Sequence, residues 1–202
     1  DITPLQFYLE YTDIDVNDYV CIINAPTKDK PLNKTYTVKY LGNVIEGNKV
    51  LYLNLSIEEL KKLVIKQLQA KEVVFLGCDF KKAVDAVDGV FDDMSFNYYD
   101  TFKTDFFMTK EEALSNYESS INHDVVITGV NLDDGVPTKW KIENSWGEQV
   151  GNKGYFVASD SWFDKYVYQA VINKKYLSKE QLDELEIEPV ELKPWDPMGT
   201  LA

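Results

Sequence analysis

His123 is the single histidine of the chain. It opens an apolar run, His123-Asp124-Val125-Val126-Ile127-Thr128-Gly129-Val130, that reads as a β-strand closing on a turn. An imidazole can take or give a proton near neutral pH. Downstream, Lys139-Trp140-Lys141-Ile142-Glu143 reads as the next strand, and it delivers Asn144, Ser145, Trp146 and Gly147. The amide oxygen of Asn144 can accept the imidazole Nδ1–H, fix the ring and leave Nε2 aimed at a nucleophile. Trp146 can shield that hydrogen bond from water. A proton shuttle beside an orienting amide is one side of a nucleophilic site; the nucleophile itself is expected to lie elsewhere.

The two cysteines, Cys21 and Cys78, are the obvious places to look for it. Cys78 follows an apolar strand and precedes a possible helix, where a helix N-terminus can favour a thiolate. Asp79 beside it opposes that charge. Cys21 lies inside an apolar strand. Free cysteines of this kind are usually buried and inert, which is the preferred reading of both. Neither has a CxxC partner, which argues against zinc. Two thiols without a recognisable signal peptide point to a reducing compartment, the cytoplasm, with a single disulfide as the alternative.

The 202 residues, 45% of them hydrophobic, suffice for one domain or a large part of one. The net charge of -13 repels phosphate backbones and anionic lipid, so neither nucleic acid nor a membrane is an expected partner. It favours a cationic ligand such as a peptide with a free α-amine. The opening Asp1-Ile2-Thr3-Pro4 reads as the interior of a domain, which suggests a piece of a longer chain.

The elements that must position the pair follow from pattern. Thr3 caps a first helix with Pro4 at its first position. Tyr19–Asn24, Thr35–Tyr40 and Val50–Leu53 read as strands, with Gly42-Asn43 and Gly47-Asn48 as turns. The clearest helix runs from Ser56 to Lys71, with Ser56 and Glu59 as a capping box and Leu60, Leu63, Val64, Gln67 and Leu68 along one face. Val73–Gly77 reads as a buried strand. Short helices are expected over Asp79–Val87, Thr109–Asn116 and Asp160–Asp164, with Asp160 as the last one's cap. Strands are expected at Gly154–Ala158 and Tyr166–Ile172, then an acidic helix from Ser178. Helices lead and antiparallel strands dominate later, which predicts an α+β fold.

Several blocks resemble a known family. Asn144-Ser145-Trp146-Gly147, the upstream histidine at the head of an apolar strand and Gly154-Tyr155-Phe156 resemble the second half of a papain-like cysteine peptidase. Trp195-Asp196-Pro197-Met198-Gly199-Thr200-Leu201-Ala202 resembles the terminal signature of the bleomycin hydrolase and aminopeptidase C branch. Lys34-Thr35-Tyr36-Thr37-Val38, Leu41-Gly42-Asn43 and Phe75-Leu76-Gly77-Cys78-Asp79 resemble it too. The likeness implies that residues 1–202 are the C-terminal part of one papain-like peptidase domain, its antiparallel strands carrying the histidine and asparagine side of the site. Residues 189–202 would be an extended C-terminal arm.

By the same resemblance His123 is the catalytic base and acid, Asn144 orients it, and the carboxylate of Ala202 meets the α-amine of the substrate. The nucleophilic cysteine and the oxyanion glutamine belong to an N-terminal half that this chain lacks. The implied activity is a thiol aminopeptidase that removes N-terminal residues from peptides without metal or cofactor, and this chain alone is expected to be inactive. The implied partners are peptides with a free N-terminus, the missing half, and further copies in a homo-hexamer. Four positions depart from the family pattern. Asp124-Val125 replaces a small or apolar pair, Asn122 replaces threonine, and Thr200 replaces alanine. The alternatives are an endopeptidase of the same family, and a non-catalytic assembly module or degenerate homologue.

Overall fold

The computed structural model describes residues 1–42, 44, 46–104 and 106–200. Helix α1 (Pro4–Tyr11) starts as predicted, capped by Thr3, with Gln6 completing a capping box. Strands β1 (Tyr19–Ile23), β2 (Lys34–Val38) and β3 (Tyr52–Asn54) follow. The turn expected at Gly42-Asn43 includes Asn43, which lies outside the described residues.

The long helix α2 (Ile57–Gln69) is capped by Ser56 and buries Leu60, Leu63, Val64 and Gln67. Burying each of those aliphatic side chains contributes about 1.5–3 kcal/mol. The Gln67 amide serves two backbone segments. Its Nε2 donates to Val73 O and its Oε1 accepts from Asn173 N–H, both at 2.9 Å. The capping box expected at Glu59 is half formed: Ser56 accepts from the Glu59 N–H, while the Glu59 carboxylate accepts from Gln181.

Strand β4 (Val74–Cys78) then leads into a departure from expectation. No helix forms over Asp79–Val87. Ala83 takes a left-handed φ of 50°, which interrupts any helix, and the chain instead makes the short antiparallel pair β5 (Val84–Asp85) and β6 (Val90–Phe91). Helix α3 (Tyr98–Phe102) is capped by Asn97, and α4 (Lys110–Ser115) carries a complete Thr109/Glu112 capping box.

Strands β7 (His123–Asp133) and β8 (Val136–Glu143) form a hairpin, followed by β9 (Tyr155–Ser159). Helix α5 (Asp160–Tyr166) is capped by Ser159, one residue earlier than predicted. The Asp160 carboxylate is occupied elsewhere, accepting from Lys61 Nζ at 2.7 Å and Trp140 Nε1 at 3.0 Å. The chain ends with β10 (Val167–Asn173), α6 (Lys179–Leu185), β11 (Val190–Leu192) and a 3-10 turn at Pro197–Gly199.

All eleven strands among the described residues join one sheet, in the order β11-β2-β3-β1-β10-β4-β7-β8-β9-β6-β5. Most pairs are antiparallel; β11–β2, β3–β1 and β6–β9 are parallel. The larger core gathers Leu60, Leu76, Ile127, Trp140, Phe156 and Trp162. A second gathers Tyr36, Tyr52, Leu114, Ile121, Tyr168 and Met198. Ile22 belongs to the first and its neighbour Ile23 to the second, so the two cores lie on opposite faces of the sheet. The tail docks through Met198, which is 1% exposed, while the Trp195 ring stays 67% exposed. No helix among the described residues is long and apolar enough to cross a membrane.

Candidate active site

Three neighbouring strands assemble the corner. His123 begins β7 and pairs with Cys78 at the end of β4. Val126 lies opposite Glu143, so Asn144 leaves β8 alongside the start of β7, and its N–H continues the ladder to Gly154 O at 3.0 Å. The two side chains predicted to meet do so: His123 Nε2 and Asn144 Oδ1 are 2.8 Å apart.

The contact uses the other nitrogen from the one the sequence reading expected. An amide oxygen only accepts, so Nε2 carries the hydrogen and Nδ1 is the nitrogen left to exchange a proton. The reason is reach. Nδ1 lies next to the ring's attachment and so near His123's own backbone, while Asn144 stands on the neighbouring strand. The far nitrogen spans the gap.

Aromatic rings frame the pair. The Trp146 indole lies 5.3 Å from the imidazole with a 39° tilt, and is itself half exposed. Phe80 stands edge-on to both rings, with each centroid 4.8 Å away. It is 2% exposed and anchored against Phe91 and Phe156. The sequence reading missed Phe80. The available signal was its place two residues beyond Cys78, the strand spacing that returns a side chain to the same face. The Asn144 Oδ1 also accepts from the Ser145 N–H at 2.9 Å. The Asn144 Nδ2 is buried and has no hydrogen-bond partner among the described residues.

Beneath the corner lies a buried polar cluster. The Asp79 carboxylate accepts from Ser119 Oγ at 2.8 Å and from Asn122 Nδ2. Tyr168 OH donates to Ser119 Oγ at 2.8 Å, and Asn122 Oδ1 accepts the Phe80 N–H at 3.0 Å. Asn122, one of the departures from the family pattern, thus fixes the residue before His123 and the residue under its ring with one side chain.

The thiols are unsuited to attack. Both cysteines are free. Burial, then the nearby Asp124 and Asp79 charges, pushes the Cys78 thiol far above its ordinary value. Its Sγ–H donates to the carbonyl of His123 at 3.7 Å. Burial and the Asp124 charge raise Cys21 to about 11. Asp124 itself points away from the imidazole, as strand alternation requires. It sits opposite Gly77 and faces a cavity that Cys21, Tyr52 and Gln169 also line. Gly77 admits it, since a Cβ there would stand 3.1 Å from Asp124 Oδ1. Burial raises the Asp124 carboxyl above the ordinary carboxylate range, with the His123 ring opposing in part. Ala202, the predicted substrate contact, lies outside the described residues, as does Leu201.

A histidine held by an asparagine at the end of neighbouring antiparallel strands, under a tryptophan, is the arrangement of the papain-like class. The family model described as the Peptidase C1-like family matches residues 1–199, and this chain belongs to that family. It is 48% identical over 201 residues to aminopeptidase C of Listeria monocytogenes, a match covering 100% of this chain and 46% of the relative. It is 42% identical over 207 residues to bleomycin hydrolase of Gallus gallus, covering 100% of this chain and 46% of the relative. The crystal structure of PepW from Lactobacillus rhamnosis HN001 superposes with a TM-score of 0.97 at 52% identity, covering 100% of this chain and 46% of that one. The fold is therefore the papain-like α+β fold that the sequence predicts. The chain spans about half the length of the curated relatives it matches.

Proposed function

We propose that this chain is the C-terminal part of a cysteine aminopeptidase, the activity for which its relatives from Listeria and other bacteria are named. The observation that carries this reading is the 2.8 Å contact between His123 and Asn144. In the whole protein a cysteine thiolate from the preceding half attacks the peptide carbonyl. The His123 imidazolium gives its Nδ1 proton to the departing amine. His123 then takes a proton from water, which hydrolyses the thioester. Asn144 holds the ring through both steps. The Asn144 Nδ2, which has no hydrogen-bond partner among the described residues, supports a corner completed by another segment, and the raised thiols of Cys21 and Cys78 support a nucleophile from outside this chain.

Residues 189–202 form the arm that brings the Ala202 carboxylate to the substrate's ammonium, where a charge-assisted hydrogen bond selects free N-termini. The bond from Thr200 Oγ1 to Ile121 O, at 2.8 Å and two residues before His123, supports that course. The domain is the single peptidase domain that the preceding half completes. By family resemblance we extend the reading to a cytoplasmic homo-hexamer acting on peptides with a free N-terminus.

The test compares the 202-residue chain with the full-length protein on aminoacyl fluorogenic substrates. Turnover is expected only from the full-length protein, and alkylation of its thiols should abolish it. Thiol-dependent turnover by the chain alone would sink the reading and return Cys78 to consideration.

A further inference from the structure

We propose that Lys30 is a positioning residue for this hydrolysis: locked onto Asp196, it sets where the C-terminal arm enters the site and so how strictly a free N-terminus is demanded. The proposal rests on the reading of the arm as the element that meets the substrate's ammonium.

The pair is not an ordinary surface contact. Lys30 Nζ lies 2.8 Å from Asp196 Oδ2, and the two side chains are 2% and 8% exposed. Exposed ion pairs hold little in place, whereas a buried pair loses much when one partner goes, because the other charge is stranded. Burial alone would lower the Lys30 ammonium. Hydrogen bonds and charges from Asp196 and Asp29 outweigh it and hold the group above its ordinary value. Lys110 shows the contrast. Its buried ammonium donates to the Val167 carbonyl beside the Tyr168 ring, and burial brings it down to about 7.

The lysine is aimed from a rigid loop. Asn54, wholly buried, donates from Nδ2 to Lys30 O at 2.8 Å and to Ala25 O at 3.0 Å, while its Oδ1 accepts the Ala25 N–H at 2.9 Å. Tyr36 OH holds Pro31 O at 2.8 Å. The loop therefore approaches the arm with the Ala25, Lys30 and Pro31 backbone groups already bonded.

On the other side, one carboxylate does two jobs. Asp196 Oδ2 takes Lys30, and Asp196 Oδ1 accepts the Met198 N–H at 2.9 Å, turning the chain into the Pro197–Gly199 turn that buries Met198. The next residue, Thr200, bonds to Ile121 O beside the His123 strand. A fixed point at Asp196 thus lies a few residues upstream of the arm's end. A group that recognises substrate by distance loses selectivity when its anchor shifts.

The experiment uses the full-length enzyme with free-amine and N-acetylated versions of one fluorogenic substrate. Lys30→Met removes the ammonium. Asp196→Asn removes the charge and keeps an Oδ1 for the Met198 N–H, so it decides the matter if Lys30→Met does not fold. Each folded variant should lose roughly tenfold or more of the preference for the free amine, through a higher KM on that substrate with kcat little changed. A folded variant that keeps the parent's preference overturns the proposal. Truncation after Gly199 tests the underlying reading separately. If truncation abolishes the preference and the two substitutions do not, the latch falls and the reading of the arm stands. Hydrogen exchange at the Met198 and Gly199 amides reads the latch directly. Faster exchange in Lys30→Met is expected, and unchanged exchange overturns the latch whatever the truncation does.

Discussion

Two polar groupings meet at the start of β7, and they differ in how completely they are satisfied. In the lower one, Tyr168, Ser119, Asp79 and Asn122 form a closed chain of donors and acceptors, ending on the Phe80 N–H. In the upper one, His123 and Asn144 share a single bond; the imidazole keeps Nδ1 free of that bond, and the Asn144 Nδ2 has no partner among the described residues. A buried network with every group paired rigidifies its surroundings, and one left incomplete costs stability and is kept where chemistry uses it. The lower cluster is scaffold and the upper pair is the proposed machinery. Substitutions should separate them by what they change.

The largest effect is expected at the machinery. In the full-length enzyme His123→Ala should lower kcat by about a thousandfold or more while leaving thermal unfolding nearly where it was. Steady-state kinetics with a melting curve on the same sample checks both halves. The next effect belongs to the scaffold and has the opposite profile. Asp79→Ala removes the acceptor of the buried Ser119 hydroxyl and of the half-buried Asn122 amide and should cost about 3 kcal/mol of stability. If Asp79→Ala melts like the parent but fails to turn over, the comparison breaks and Asp79 belongs with the machinery.

The difference between the groupings also explains what was legible in the sequence. His123 and Asn144 could be named because their types and the strand pattern around them define a chemistry. The choice of ring nitrogen could not, because it depends on which strand carries the amide and how far it stands from the histidine backbone. The lower cluster left no linear trace: Asp79, Ser119 and Tyr168 lie far apart in sequence and meet only through the β10-β4-β7 order of the sheet. That cluster also undid a local prediction. Asp79 looked like the start of a helix, but its carboxylate was already committed to Ser119 and Asn122 and its N–H to Tyr166 O. Asp160 lost its expected capping role in the same way, to Lys61 and Trp140. The elements whose caps had no competing partner among the described residues, α1, α4 and α6, formed where the local pattern put them.

A smaller effect sharpens the role of the orienting amide. Asn144→Ala leaves the imidazole able to move a proton but free to rotate. The expected loss is about tenfold to a hundredfold in kcat, well short of that for His123→Ala. Removing the stranded Nδ2 offsets part of the lost hydrogen bond, so the melting temperature should change little. Losses equal to those of His123→Ala would mean that the amide does more than hold the ring.

The smallest effect is expected at Asp124, the carboxylate on the face of β7 turned away from His123. Its folded-state carboxyl titrates above the ordinary range, chiefly because burial penalises the charge. A raised carboxyl binds its proton more readily in the folded protein than in the unfolded one. Stability from this group is therefore present at low pH, declines as pH rises from the ordinary carboxylate range through the folded value, and is a standing cost at neutral pH. Asp124→Asn removes that cost while keeping the shape that Gly77 accommodates. At pH 7 the variant should melt higher by about 1–2 °C, and the gain should vanish below the ordinary carboxylate range. The kcat should stay near the parent's, since the side chain projects into the cavity beside Cys21 and Gln169 rather than toward the ring. A large fall in kcat at unchanged stability would place Asp124 with the machinery, and would make its departure from the family pattern a functional one.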